Sequence, residues 1–451
     1  MSSTSHGPRH GGNHGSHGHV QEHIHTHVEE DMLSVEDAYE RVMAYFSPLE
    51  PEESPLMQAM GRVLAEDIYS PLNLPPLANS AMDGYAVLGK DIEGAGKNSP
   101  VQLEVIGLVA AGQVSSQRVT KGNAIRIMTG APIPTGADTV VPFEETDEVQ
   151  RRRAGQTLDQ ISILAGLPLG SNVRPAGEDV HDGELVLQAG TPIRAAEVGV
   201  LASLGLDRAK FIRSPLVSIL ATGDELTPAG QELSPGQIYD SNSFSVAASV
   251  LAAGGIPRLL GVARDNLEDL HGKLREADGS DLVITSAGVS KGDYDIVKDV
   301  LTQRGEMNFW SVRMRPAKPL AFGQLTAADG KHVPLLGLPG NPVSAMVAFE
   351  MFARPAIRRM MGLRRLERPM VEGILTGPIH NYDGRRVYAR VEVTRQDGVY
   401  YAAPAGPQGS NILTSMSRSN GLAICPEDLP KKDKGETVQI LMLDWNEEVD
   451  L

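Results

Sequence analysis

Between residues 215 and 363, short apolar runs alternate with longer amphipathic ones. This alternation narrows the choice of fold more than any other feature of the chain. PLVSIL, IPRLLGV, DLVITS and VPLLGL have the length and apolar content of buried strands. SFSVAASVLAAGG, NLEDLHGKLREAD, YDIVKDVLTQRG and NPVSAMVAFEMFARPAIRRMMG carry helical periodicity between and after them. Strands separated by helices run parallel, because only a long crossover returns the chain to start the next strand in the same direction. The expectation is a three-layer αβα domain over residues 214–363, with a parallel sheet covered on both faces. Pro355, inside the last helical run, lacks an N–H and should bend or interrupt that helix.

In sheets of this kind, ligands bind beyond the carboxyl ends of the strands. Three polar loops follow predicted strands: Thr222–Glu225, Ala287–Asp295 and Pro339–Ser344. Their glycines permit close backbone approach, and successive N–H groups can form a nest for an anion. Asn341 is expected to cap the next helix, with Pro342 at its first position. That arrangement aims a helix N-terminus and the Ser344 hydroxyl at one space, which favours an oxyanion. Asp224, Glu225 and Asp295 make sense beside an anion if Mg²⁺ bridges carboxylate and phosphate. The basic stretch Arg313–Pro319 would neutralise a second anion. Singly, each feature has a plain structural explanation. TGDE suits a turn and helix cap, RMRPAK a surface strand, and Gly288–Gly292 matches neither Walker A nor GxGxxG. Their placement along one sheet edge is what points to a site.

The flanks differ. Ser34 and Asp37 resemble a capping box, and Val35, Tyr39, Val42 and Phe46 share one face of a helix that Pro48 stops. Residues 68 to about 190 hold short strand-like runs (VQLEVIGLV, AIRIMTG, DTVVPFEE, QISIL, ELVL) separated by Gly and Pro, which predicts β-rich structure. TPIRAAEVGVLASLG predicts a helix with Pro192 in its first turn and Gly205 at its stop. Residues 364–451 return to strands, as a small β-barrel or sandwich. The N-terminal and linker domains accordingly span 31–213, with the β-rich insert at about 68–183. Residues 1–30 hold eight of the twelve histidines among Gly and Ser. They should form a disordered tail that binds nickel or zinc opportunistically, a metal-collecting role being the alternative.

A net charge of −16 argues against nonspecific nucleic-acid binding, which needs a basic footprint. The single cysteine, Cys425, excludes an intrachain disulfide framework and fits a reducing cytoplasm. No apolar run approaches the ~20 residues that would span a membrane.

TGDEL, GQIYDSN, SAGVSKGDYD, RPAKP and LPGNPVSA, in this order, resemble the molybdopterin molybdenumtransferase family (MoeA and the E domain of gephyrin). NSAMDGYA, RIMTGAPIPTGADTVV and VRPAGEDV upstream, and GRRVYARV and GSNILTSMSRSNGL downstream, match the same family, so the likeness covers about residues 33–445. The resemblance implies four domains: a molybdopterin-binding αβα domain, two linker domains of which one is β-rich, and a C-terminal β-barrel. It implies an elongated homodimer whose cleft takes residues from both subunits. It also implies a reaction: adenylylated molybdopterin and molybdate give molybdenum cofactor and AMP, with Mg²⁺ or a similar cation. Substrate would come from the molybdopterin adenylyltransferase and product would pass to molybdoenzymes, in the cytoplasm.

Residue roles carry over by motif. Asp83, Thr129 and Asp179 look like catalytic cleft residues from the β-rich side, and Glu225, Asp265 and Asp295 look like those of the αβα domain, Glu225 and Asp295 being metal-linked. Asp240, Gly288, Ser290, Gly292, Pro339 and Pro342 look like positions that hold molybdopterin. Arg315, Lys318 and Ser344 resemble the molybdate side, which Arg385, Arg390 and Ser410 would complete. Three positions depart from the family's pattern. Ala287 and Ala317 replace usual glycines, and Ser311 stands where some relatives place Lys. Arg315, where many members carry Lys, keeps the charge and adds a bidentate fork. A non-catalytic molybdopterin carrier and a scaffold are the alternatives in function.

Overall fold

The computed structural model describes residues 32–264, 266–286 and 305–445. The histidine-rich tail, Asp265, the loop from Ala287 to Asp295 and the helix expected over YDIVKDVLTQRG lie outside the described residues, except Gly305, which begins a strand.

A nine-residue helix, α1 (Val35–Met43), opens the described chain, and the Ser34 hydroxyl accepts from the Asp37 N–H at 2.9 Å. Val35, Val42 and Phe46 are buried, so the predicted face is the packed one. That face joins the core of the αβα region rather than the nearby β-rich segment. The β-rich segment forms a five-stranded sheet from β1 (Gly84–Val87), β2 (Val101–Val109), β3 (Asn123–Ile127), β4 (Thr139–Pro142) and β5 (Gln160–Ile163), in the order β4-β1-β3-β2-β5. Alternate residues of β1 feed two cores: Tyr85 and Val87 enter one and Ala86 the other. Beyond the β-rich segment, the helix α2 (Ala195–Ser203) starts later than expected. Pro192 is not in its first turn but bridges Val63 in extended backbone, and Arg194 takes the N-cap, with Glu197 accepting from its N–H at 2.9 Å. Gly205, at φ +83°, ends the helix region as predicted.

The central sheet contains β6 (Leu216–Thr222), β7 (Ile256–Ala263), β8 (Leu282–Ser286), β9 (Gly305–Ser311), β11 (Pro319–Thr326) and β12 (His332–Leu338). Between β9 and β11 the chain makes a two-residue strand, β10 (Met314–Arg315), that belongs to a different sheet. The order is β7-β6-β8-β12-β11-β9. The first four strands are parallel, as expected, but β11 and β9 are antiparallel additions. The expectation of a wholly parallel sheet fails here for a local reason. β11 and β12 are joined by the short turn at Ala327–Lys331, and a short turn permits only antiparallel pairing. Helices α3 (Asn242–Ala252) and α4 (Leu267–Glu276) cover opposite faces. Val217, Ile219 and Ile284 pack with Val246 and Val250 on one side, and Leu220 and Val283 pack with Leu270 and Leu274 on the other. From β6 the chain crosses to β7 on one side and then back to β8 on the other. The topological switch therefore lies beside the carboxyl end of β6.

After β12 comes α5 (Pro342–Ala348), then a π-helical turn over Phe349–Ala353, then α6 (Arg354–Met360). Pro355 sits in the first turn of α6, so the predicted interruption is a widened turn just before a residue that has no N–H to donate. The C-terminal strands β13 (Met370–Leu375), β14 (Arg386–Gln396), β15 (Val399–Pro404), β16 (Gly421–Cys425) and β17 (Thr437–Met442) pair in the order β14-β15-β13-β17-β16. The β14–β16 pairing closes the ring, so the structure is a barrel and not a sandwich. β10 adds to this barrel in parallel with the start of β14. The basic segment thus leaves the αβα domain, docks on the barrel and returns.

Candidate oxyanion site

β10, the loop after β12 and a loop of the barrel enclose a cavity of about 440 Å³. Arg315, Lys318, Pro339, Ser344, Arg385 and Ser410 line it, together with Pro316, Asn341 and Gln408. Six sequence-predicted positions therefore meet in one space, although they come from four separated segments. Three of them are cations. Arg315 donates to the His380 carbonyl at 2.6 Å, and Arg385 to the Met314 carbonyl at 3.2 Å. Among the described residues Lys318 has no carboxylate partner. Concentrated positive charge in a concave wall attracts anions even in a chain of net charge −16.

The loop that carries Pro339 is fixed from both sides. Asn242 Nδ2, in the first turn of α3, donates to the Gly340 carbonyl at 2.7 Å, and the Val343 N–H donates to the Ser410 carbonyl at 3.1 Å. Pro342 occupies the first turn of α5, as expected, and Ser344 is buried behind it. Asn341 stands at the N-cap with extended backbone, but its side chain makes no capping hydrogen bond, contrary to expectation. The Asn341 amide instead faces the cavity as part of its lining.

Asp240 is buried, and one of its carboxylate oxygens accepts from the Ser243 N–H at 3.0 Å, so it caps α3. Asn242, two residues on, ties the Asp240 segment to the Pro339 loop. Nearby are buried side-chain oxygens that have no hydrogen-bond partner among the described residues: Thr227 Oγ1, Asn242 Oδ1, Ser243 Oγ, Thr285 Oγ1 and Ser286 Oγ. Such atoms are rare in folded proteins and cluster where a ligand or water completes them. Glu225 is exposed, and its carboxylate folds over Gly223. A methyl group at Gly223 would meet the Glu225 oxygens at 2.5 and 2.7 Å, and the backbone there has φ +144°, so only glycine suits this position.

Arg390 does not line the cavity. It is 1 % exposed, and its guanidinium donates to Ser415 Oγ at 3.0 Å and to the carbonyls of Pro407 and Gly409 at 3.2 and 3.0 Å. Gln408 closes the clasp by accepting from the Arg390 N–H at 2.9 Å. Burial pushes the guanidinium down to about 10, and it remains a cation at neutral pH. Its place is behind the loop that presents Gln408 and Ser410.

Asp83, Thr129 and Asp179 do not line the cavity either. Asp83 and Thr129 form a pair of their own at the edge of the β-rich sheet. One Asp83 oxygen accepts from the Thr129 N–H at 2.7 Å and from its hydroxyl at 2.8 Å, which holds this carboxyl below the usual range. Asp179 is exposed in the turn whose N–H donates to the Leu74 carbonyl at 2.9 Å. Asp265, Gly288, Ser290, Gly292 and Asp295 lie outside the described residues. Among the described residues no three acidic, histidine or cysteine side chains converge as a metal-binding group.

Of the two described departures, Ala317 has a structural consequence. It is buried with φ +73°, a left-handed conformation that a methyl side chain disfavours and glycine does not. Ser311 ends β9 opposite Pro319 and does not line the cavity. Sequence reasoning missed Gln408, and it missed His380, Tyr382 and Asp383 behind the arginines. The acidic residue two before Arg385, in the turn Asp383–Gly384, was the available signal.

Together the features define a multidomain α/β protein built on a doubly covered sheet with a cation-lined cavity against a barrel. Comparison with known proteins specifies it. Family models match over residues 33–205 (MoeA N-terminal region, domain I and II), 218–359 (probable molybdopterin binding domain) and 372–443 (MoeA C-terminal region, domain IV). The chain is 38% identical over 416 residues to molybdopterin molybdenumtransferase 2 of Mycobacterium tuberculosis, covering 91% of this chain and 99% of that one. It is 35% identical to the molybdopterin molybdenumtransferase of Haemophilus influenzae, covering 91% and 98%. The crystal structure of a molybdopterin biosynthesis MoeA protein from Pyrococcus horikoshii superposes with a TM-score of 0.76 at 31% identity, covering 92% of this chain and all of that one. The chain belongs to the molybdopterin molybdenumtransferase family.

Proposed function

We propose that this protein is the transferase that inserts molybdenum into molybdopterin, converting adenylylated molybdopterin and molybdate to molybdenum cofactor and AMP. The observation that carries the proposal is the cavity of about 440 Å³ lined by Arg315, Lys318, Arg385, Ser344 and Ser410. Charge-assisted hydrogen bonds from the three cations and the two hydroxyls suit a tetrahedral dianion. Molybdate held there gives up an oxo oxygen as water, with the two thiol protons, as the dithiolene sulfurs bind the metal, and water attacks the pyrophosphate of the second substrate to release AMP. Asp240, Gly288, Ser290, Gly292, Pro339 and Pro342 hold molybdopterin at the sheet edge. The unpartnered hydroxyls of Thr227, Ser243 and Ser286 beside Asp240 support that placement. Arg390 acts through the loop it clasps.

Glu225 and Asp295 supply Mg²⁺ with hard oxygen ligands. Glu225 is exposed just past the carboxyl end of β6, accessible to a cation that would be shared with substrate phosphates. A cation held by these carboxylates would supply Lewis-acid polarisation of a phosphoryl oxygen. Asp265 is a further acid of this edge. Asp83, Thr129 and Asp179 act in the cleft of a homodimer, across from the cavity of the partner subunit. Their separation from the cavity within one chain supports that assignment. The domain limits are 31–213, 214–363 and 364–451, and the protein works in the cytoplasm between the adenylyltransferase and the molybdoenzymes.

The test is purified protein with adenylylated molybdopterin, molybdate and Mg²⁺. The expected result is AMP release matched by molybdenum incorporation, abolished in Asp295→Ala. Bound substrate without AMP release would instead identify a carrier.

A further inference from the structure

Arg315 and Arg385 face one cavity from different elements, and two guanidinium groups so placed repel each other. What holds them lies behind the cavity wall. Asp383 accepts a hydrogen bond from Arg385 Nη2, and the same carboxylate oxygen lies 3.8 Å from Arg315 Nη1. Asp383 itself does not line the cavity. The two arginines are also cross-tied in a reciprocal way. Arg315, on β10, donates to the His380 carbonyl in the approach to β14, while Arg385, at the start of β14, donates to the Met314 carbonyl on β10. A second support is aromatic. The Arg315 guanidinium lies 5.6 Å from the centre of the Tyr382 ring, and that ring stacks on His380 at 5.5 Å with an interplanar angle of 10°.

We propose that Asp383 is a positioning residue for the oxyanion: one carboxylate shared from behind by both cavity arginines, which fixes the spacing and orientation of their free N–H groups before the anion arrives. The proposal rests on the reading of the cavity as an oxyanion site. The carboxylate also sets the charge balance. Arg315, Lys318 and Arg385 contribute three positive charges and Asp383 removes one, which leaves two, the charge of a tetrahedral dianion such as molybdate. Preorganised donors lose less freedom on binding, so the benefit appears as affinity for the anion and not as a property of the other substrate. Tyr382 and His380 serve the same end by limiting the swing of Arg315.

The experiment is calorimetric titration of molybdate into the full-length wild type, Asp383→Asn, Asp383→Ala and Asp383→Glu, with steady-state kinetics and thermal unfolding of each. Asp383→Asn is expected to weaken molybdate binding and raise the molybdate KM by about tenfold, the loss of one charge-assisted contact. The kcat, the KM for adenylylated molybdopterin and the Tm should stay near wild type. Asp383→Ala should be weaker still, and Asp383→Glu should recover part of the affinity. Unchanged molybdate affinity in Asp383→Asn, with wild type binding normally, overturns the proposal alone. A rise in both KM values together with a fall in Tm, without recovery in Asp383→Glu, also overturns it, because that is a folding effect. Absence of molybdate binding by wild type overturns the reading of the cavity and the proposal with it.

Discussion

The cationic cavity and the Asp83–Thr129 edge are built on opposite plans. The cavity collects residues from β10, the Pro339 loop and the barrel into one concave space, and its cations are tied down by carbonyls and by Asp383. The Asp83 edge offers one carboxylate oriented by a single threonine, and it lines no described cavity. The first can hold a small anion within one chain. The second fixes one acid and leaves the rest of its site to be supplied from elsewhere. The proposed function assigns the small oxyanion to the first and the cleft for the long substrate to the second.

The largest effect should come from what supports the Asp83 edge. Glu148 is buried and accepts from Arg126, Tyr85 and Arg152. Burial alone would raise its pKa, but the hydrogen bonds from Arg126, Tyr85 and Arg152 outweigh burial and bring it down to about 2. A carboxylate lowered on folding contributes stability that is complete above its ordinary value of 4.5 and is lost as pH falls toward about 2. Glu148→Gln strands Arg126 in the sheet and should cost about 3 kcal/mol at neutral pH, measured by denaturant unfolding. It should also remove the acid-dependent loss in that window.

Next is the cavity. Arg315→Ala removes a cation that presents a fork to the anion and should weaken molybdate binding by roughly 10- to 100-fold, while Ser344→Ala should cost about tenfold. Asp83→Asn should lower turnover by about tenfold with the molybdate KM unchanged, because it removes the carboxylate charge while the amide oxygen still accepts, more weakly, from Thr129. Mixing Asp83→Asn and Arg315→Ala chains sharpens the contrast. If the two sites work across subunits, mixed dimers regain one intact cleft, and activity above either parent is the expected outcome. Smallest is Ala317→Gly, which relieves a left-handed alanine and should raise stability by up to about 1 kcal/mol, seen as a higher Tm with anion affinity retained.

Legibility in the sequence followed the same division. The αβα region could be read because its inner strands β6 and β8 are buried on both faces and carry apolar runs, PLVSIL and DLVITS. β9 could not, since Gly305, Glu306 and Asn308 break any apolar pattern, and its pairing with β11 is what makes it a strand. The loops at the carboxyl ends of the strands were located from topology alone. That Arg315 meets Arg385 and Ser410 was not readable from spacing, because it depends on β10 leaving its own domain to pair with β14. Arg390 shows the converse. Its motif marks it as a site residue, yet its burial and its carbonyl partners make it the clasp behind the loop. Ala317 was visible as a departure, but its meaning depended on a backbone angle that no sequence pattern gives.

The central claim is that the cavity between β10, the Pro339 loop and the barrel holds the oxyanion. Crystals grown with tungstate, isosteric with molybdate and a strong anomalous scatterer, test it most directly. The predicted result is one anomalous peak within hydrogen-bonding distance of Arg315, Lys318 and Ser344. A peak elsewhere, with this cavity holding only solvent, would contradict it.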